Sequence, residues 1–167
     1  MSNAKSGKYD HLIWAGLGLL GGFAYADHRA TIAKQSRAER DDPDGTSAVL
    51  EEIAELLENW DCPGNCTEDQ LVEELASYLE EASDWEIETW PRTSHGTPDI
   101  LVGDLLALEL KINPNKAERD RCVGQCAGYS RQWVTWIVLF DASASRVGAL
   151  QDLLADKSLE QIAVWNF

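Results

Sequence analysis

Basic residues are scarce in this chain. Lysine and arginine total 14, against 29 aspartates and glutamates, so the formal net charge is -15 over 167 residues. A protein that binds nucleic acid through charge alone usually carries a basic footprint, and this composition excludes a uniformly basic surface. The imbalance is local, because residues 46 to 109 hold seventeen acids and one base, whereas residues 110 to 167 hold six acids and seven bases. The C-terminal third is therefore close to neutral.

The chain also lacks a hydrophobic run that spans a bilayer comfortably. The uncharged stretch from residue 12 to 26 has 15 residues, short of the roughly 20 that a spanning helix needs. Three interpretations stay open. Gly18, Gly22 and Ala26 form a small-residue stripe typical of a membrane anchor, residues 24 to 26 have the Ala-x-Ala form of a signal-peptide cleavage site, and the segment also suits a helix buried in an assembly.

We favour the anchor or the assembly helix, and a secreted protein remains the alternative. More basic residues follow the apolar stretch than precede it, which predicts that the C-terminal domain is cytoplasmic. Residues 38 to 46 are rich in turn formers and predict a linker. We therefore expect a hydrophobic helix and linker in residues 1–45 and one folded domain in residues 46–167.

Cysteines are few, and four are present: Cys62, Cys66, Cys122 and Cys126. Together they suit a tetrahedral zinc site, and the first two suit a disulfide in an extracellular setting. The three-residue spacing differs from the tight zinc-binding pattern, so buried or free thiols are the default expectation in a reducing compartment.

The chemistry-bearing segment is TPDILVGDLLALELKI, residues 97 to 112. Side chains alternate along a strand, so Glu109 and Lys111 share one face. A three-residue hairpin loop at 103 to 105 would pair 102 with 106 and bring Asp99 beside Glu109. A two-residue loop would put the two carboxylates on opposite faces. Paired carboxylates are suited to Mg²⁺ or Mn²⁺.

This motif resembles that of the PD-(D/E)XK nuclease superfamily, which has the restriction-endonuclease-like fold. The resemblance implies that Asp99, Glu109 and the Leu110 carbonyl hold the metal, and that Lys111 orients or deprotonates the attacking water. It also implies an α/β fold with helix, three strands, helix, strand, helix, strand in order, and a mixed sheet flanked by helices. The sequence predicts these elements at about 67–82, 85–90, 100–102, 106–112, 117–131, 133–140, 145–155 and 161–165, after a short helix at 47–60.

Four further side chains are candidates for the site. Gln125 and Tyr129 lie four apart on one helix, a spacing that resembles exonuclease-type members of the superfamily. Many members also carry a glutamate on the first helix. Glu68 and Glu74 are both candidates for it, and the position of Glu68 three residues before a leucine, which resembles the resolvases, favours Glu68. The Ser-His-Gly sequence at 94–96, before the motif, is instead similar to archaeal Holliday-junction resolvases, so the two resemblances imply different DNA substrates.

The helix after the motif carries a basic strip: Lys116, Arg119, Arg121 and Arg131. We predict that this strip follows a DNA backbone. The acidic remainder resembles proteins of salt-loving archaea, whose surfaces stay soluble through carboxylates. High salt weakens attraction to phosphates, so binding would then depend on metal bridging and shape.

Two functions from different classes are in competition. The first is a magnesium-dependent endo- or exonuclease acting on DNA, with a homodimer as one arrangement. The second is a non-catalytic protein that keeps the nuclease fold as a structural or binding module in a membrane or multiprotein assembly, such as a viral one. The complete Asp99, Glu109 and Lys111 set favours catalysis, whereas the acidic composition and the apolar N-terminal stretch favour the module.

Overall fold

A five-stranded mixed sheet with helices on both faces is the centre of the molecule, in a computed structural model that describes residues 46–167. The helices are α1 (Thr46–Asn59), α2 (Glu68–Ala82), α3 (Lys116–Tyr129) and α4 (Ala144–Asp156). The strands are β1 (Ile87–Thr89), β2 (Ile100–Val102), β3 (Leu106–Ile112), β4 (Val134–Phe140) and β5 (Ala163–Asn166). The predicted α/β class, with a mixed sheet flanked by helices, is confirmed. The helix and linker predicted in residues 1–45 lie outside the described residues.

The strands follow one another across the sheet in chain order. β1, β2 and β3 are antiparallel neighbours, whereas β3, β4 and β5 are parallel. Parallel neighbours need a crossover connection, and α3 and α4 supply the two crossovers. Among α1 to α4, no helix has the length and the apolar character that a membrane span requires.

The β2–β3 hairpin sets the register on which the site depends. Val102 pairs with Leu106, as the three-residue loop predicts, and this prediction is confirmed. Gly103 and Asp104 both have left-handed backbones, with φ of 57° and 54°, a conformation that Gly and Asp tolerate better than other residues. The ladder continues through Ile100 and Leu108, so the next pair brings the positions of residues 99 and 109 side by side.

Two apolar clusters, one on each face of the sheet, bury the strands. In β3, Leu106, Leu108 and Leu110 belong to the cluster that packs against α1 and α2. Ala107 belongs to the cluster that packs against α3 and α4. By strand alternation Glu109 and Lys111 lie on this second face, where both are buried.

Candidate active site

β3 loses its neighbour β2 halfway along its length. β2 pairs only with residues 106–108, whereas β4 pairs with the whole of β3. Where the strands part, the Asp99 N–H still donates to the Leu108 carbonyl at 3.1 Å. The Leu110 N–H then donates to Asp99 Oδ2 at 2.7 Å. The Asp99 carboxylate therefore accepts the hydrogen bond that a carbonyl of β2 would accept in a longer strand, and it is held beside Glu109 and Lys111.

Sequence reasoning missed this bond from Leu110 to Asp99. A signal for it was present in Pro98, which lacks an N–H and is disfavoured inside a paired strand. Because pairing of β2 does not extend past Pro98, β3 lacks a backbone acceptor beyond this point. A neighbouring side-chain oxygen, here that of Asp99, can accept the hydrogen bond instead.

The ammonium group of Lys111 lies at the centre of the site. Its Nζ is 2.8 Å from Glu68 Oε1, 3.0 Å from Glu109 Oε1 and 3.6 Å from Asp99 Oδ2. It also donates to the Leu110 carbonyl. These oxygens belong to residues that the sequence predicts as metal ligands. The structure thus brings the predicted ligands together, and it does so around the ammonium.

Glu68, rather than Glu74, is the glutamate that α2 contributes. Glu68 is the first residue of α2, directly after its N-cap Thr67, and Thr67 forms a capping box with Gln70. The capped helix start fixes the backbone of Glu68 over the end of β3. Glu74 is exposed and lies six residues further along, about 120° around the helix from Glu68.

Negatively charged side chains outnumber positively charged ones in this cluster. Burial, followed by the negative charge of Asp99, raises the pKa of Glu109 to about 7. Burial also raises the pKa of Asp99, although the Lys111 charge opposes this. Burial alone would lower the pKa of Lys111, but Glu109, Asp99 and Glu68 raise it on balance, so the lysine stays protonated. Three carboxylates face one ammonium, so the cluster carries excess negative charge when all of them are ionised.

Two buried oxygens, one in the cluster and one on α3, lack a hydrogen-bond donor within residues 46–167. They are Glu109 Oε2 and Gln125 Oε1. A buried oxygen of this kind takes a protein donor, an ordered water or a cation as its partner. Both atoms are oxygens, so the missing partner is a cation or a hydrogen-bond donor.

α3 closes the site on the side of the loop at 93–97. Tyr129 Oη donates to the Thr97 carbonyl at 2.9 Å, and Gln125 Nε2 approaches Tyr129 Oη at 3.5 Å. Gly96 has a φ of 122°, and a Cβ there would lie 2.8 Å from the Tyr129 ring. Burial and the Glu109 charge raise the pKa of Tyr129, so it acts as a hydrogen-bond donor. The predicted Gln125 and Tyr129 pair therefore holds the loop that leads into Asp99.

The predicted basic strip is partly neutralised by its own neighbours. Lys116 forms an ion pair with Asp120 at 2.7 Å, and Arg119 donates to the Pro114 carbonyl at 2.8 Å. Arg121 and Arg131 are exposed. An exposed ion pair is weak, so these side chains remain accessible to a phosphate.

The four cysteines form two separate pairs. Cys62 and Cys66 pack against the apolar cluster on the α1 and α2 face, whereas Cys122 and Cys126 belong to the opposite cluster. All four are free thiols. Burial raises the pKa of Cys62 to about 11, and the hydrogen bond with Cys122, together with burial, raises that of Cys126. A single four-cysteine zinc site is therefore not assembled in this part of the chain.

Across residues 46–167, no group of three or more histidine, cysteine, aspartate or glutamate side chains is arranged to hold a metal ion. In the candidate site the carboxylates surround the Lys111 ammonium instead. Comparisons of the chain with models of protein families, with curated proteins and with solved structures found no match. The function therefore has to be argued from the geometry of this site.

Proposed function

We propose that residues 46–167 form a metal-dependent phosphodiesterase of the PD-(D/E)XK type that hydrolyses DNA, with the restriction-endonuclease-like order of helices and strands. The observation that carries the proposal is the enclosure of a buried cation, the Lys111 ammonium, by oxygens of Glu68, Asp99, Glu109 and Leu110. Carboxylate and carbonyl oxygens are the ligands that Mg²⁺ and Mn²⁺ prefer. Asp99 and Glu109, with the Leu110 carbonyl and Glu68, would hold the metal.

A divalent cation fits both the charge and the unused acceptors of this site. Three carboxylates against one ammonium leave the cluster with excess negative charge when all are ionised. Glu109 Oε2 is buried and lacks a donor among the described residues. A metal ion would occupy that acceptor and lower the pKa of Glu109, because an adjacent positive charge favours the ionised form.

The side chains then divide the work of phosphodiester hydrolysis. The chemistry that a bound metal supplies is polarisation of the scissile phosphate. Lys111 would orient the attacking water through its N–H groups, or deprotonate it once the charge of a bound metal lowers the pKa of the ammonium. Tyr129 and Gln125 keep the 93–97 loop, and hence Asp99, in position.

A non-catalytic role as a binding or structural module is the second candidate. One observation favours it specifically: Lys111 already pairs with all three carboxylates. A protein that had lost catalysis would keep such a cluster as a self-contained polar core. The two functions differ in whether a metal displaces the ammonium from Asp99 and Glu109.

The decisive experiment is cleavage of labelled linear duplex, single-stranded and four-way-junction DNA by the full chain with Mg²⁺ or Mn²⁺, at low and at molar salt. We expect Asp99→Ala and Lys111→Met to reduce cleavage by about 10²–10⁴-fold, the range that a positioned catalytic group contributes. Lys157→Met is the matched control, because Lys157 is exposed and lies outside both the carboxylate cluster and the predicted basic strip.

Two further measurements make the result decisive. Circular dichroism establishes that each variant is folded, and calorimetric titration with Mn²⁺ measures binding independently of cleavage. A folded wild-type protein that neither cuts any substrate nor binds Mn²⁺ would contradict the nuclease proposal and favour the structural module.

A further inference from the structure

Trp90 is the one large apolar side chain that is exposed in the part of the chain whose burial is described, with 37% of its surface accessible. Its backbone is also strained, because a φ of 48° is a genuine outlier for a bulky residue. Strained residues of this kind cluster at functional sites. Backbone preference therefore does not account for a tryptophan at this position.

Trp90 lies in line with the candidate site. Thr89 pairs with Ile100, and the Trp90 N–H donates to the Asp99 carbonyl at 3.0 Å. Residue 90 is therefore opposite residue 99, which is in turn beside Glu109 in the hairpin register. Adjacent strands are about 4.8 Å apart, so the backbone of Trp90 is roughly 10 Å from that of Glu109.

The surroundings of Trp90 favour a contact that does not depend on positive charge. Arg92 is the single base among residues 46 to 109, and two exposed acids lie nearby in the chain: Glu86, just before β1, and Glu88, within β1. Ionic attraction to the side chains around Trp90 therefore contributes little to binding of DNA phosphates. A base stacking on an aromatic ring is a short-range contact of two neutral surfaces, and it tolerates any base sequence.

We propose that Trp90 is a stacking platform for an unpaired base of the DNA strand whose phosphate occupies the candidate site, so the substrate is single-stranded next to the scissile bond. This inference rests on the proposed function. In an intact duplex each base face is covered by its neighbours, whereas a single strand offers free faces. Trp90 and the carboxylate cluster then hold the same strand at two points.

The test measures binding of a fluorescein-labelled 12-nucleotide oligothymidylate to the full chain by anisotropy, in EDTA and in Ca²⁺, alongside cleavage in Mg²⁺. We expect Trp90→Phe to stay within about twofold of wild type and Trp90→Leu to bind about tenfold more weakly, because leucine keeps the apolar volume and lacks the ring. Trp85→Phe is the control, since Trp85 begins the same segment and is held by Glu52.

Trp90→Gly separates stacking from a structural role. Glycine adopts a positive φ at no steric cost, so the variant should unfold at or above the wild-type temperature while binding the oligonucleotide as weakly as Trp90→Leu. A fall of several degrees in the unfolding temperature of Trp90→Gly would mean that Trp90 serves packing, and would overturn the inference.

The remaining outcomes are distinct from failure of the proposed function. Wild-type protein that does not bind the oligonucleotide, or Trp90→Leu that binds as tightly as wild type, overturns the stacking inference even if the protein cuts DNA. Binding that is lost in Trp90→Leu and kept in Trp90→Phe supports stacking even if no DNA is cut, in which case only the nuclease proposal fails.

Discussion

The two halves of β3 are equally buried and chemically opposite. Leu106 and Leu108 are fully buried and belong to the half that β2 and β4 flank on both sides. Glu109 and Lys111, only 1% and 5% exposed, belong to the half that has lost β2. One half places hydrocarbon in the interior, and the other places an acid and a base there.

The difference shows that the C-terminal half of β3, which holds Glu109 and Lys111, contributes less to stability than the N-terminal half. Burying apolar surface stabilises a domain, whereas burying charges is costly even when they are paired. The polar half also leaves an acceptor, Glu109 Oε2, without a donor among the described residues. Local rules that are broken in this way are expected at functional sites, so the gap between β2 and β3 is the place to look for chemistry.

The largest expected effect compares one substitution in each half. Leu108→Ala should lower the free energy of unfolding by about 2–5 kcal/mol, through lost burial and the cavity left behind. Glu109→Gln should leave it unchanged or raise it, because Lys111 keeps Asp99 and Glu68 as partners while repulsion among the carboxylates falls. Urea unfolding in EDTA measures both.

Mn²⁺ titration completes this comparison. Folded Leu108→Ala should bind the metal as wild type does, and Glu109→Gln should not. If Glu109→Gln destabilised the fold as much as Leu108→Ala, the carboxylate would be part of the structural core, and the division of β3 into two halves would be wrong.

The second prediction concerns pH. The ordinary carboxyl pKa of Glu109 is 4.5, and burial and Asp99 raise it to about 7 in the folded protein. The folded state therefore holds a proton that the unfolded chain has released between these values. Stability from this group is complete below about pH 4.5 and is lost as the pH rises through 7. Asp99, whose pKa is also raised, acts in the same direction.

We expect the metal-free protein to lose on the order of 1–3 kcal/mol between pH 5 and pH 8 from these groups. Glu109→Gln provides the control, since the difference between its unfolding curve and that of wild type reports the titration of Glu109 together with its interaction with Asp99. Stabilisation by Mn²⁺ should grow over the same range, because a metal binds the ionised carboxylate. Parallel pH profiles for the two proteins would contradict the prediction.

Local chemistry explains what the sequence predicted correctly. The Gly103 and Asp104 turn and the alternation along β3 act over a few residues, and together they determine the register that aligns residues 99 and 109. The capped start of α2 at Thr67 has the same local origin. Each of these features depends on neighbours in the chain, so a pattern was enough.

Features that depend on tertiary packing were not predictable in the same way. Glu68 and Lys111 are 43 residues apart in the chain, and the choice between Glu68 and Glu74 depends on how α2 is rotated against the sheet. Trp90 was predicted to be part of a strand at 85–90, which was wrong at that residue. β1 ends at Thr89 and the backbone turns into the left-handed region, so the alternation no longer determines which side Trp90 faces.

The smallest expected effect tests whether Glu68 belongs to the metal or to the lysine. Glu68 is 40% exposed, and its carboxylate is 2.8 Å from Lys111 Nζ. Lys111 could therefore stay paired with Glu68 while Asp99 and Glu109 bind a metal ion. If Glu68 is a ligand, Glu68→Gln should weaken Mn²⁺ binding by about two- to fivefold, since an exposed charged contact contributes at most about 1 kcal/mol. Glu74→Gln, on the exposed face of the same helix, should have no effect, and an equal loss in both variants would indicate a general charge effect.

Unchanged Mn²⁺ affinity in Glu68→Gln, with cleavage reduced, would assign Glu68 to positioning Lys111, because a lysine without its partner would no longer be held for the attacking water.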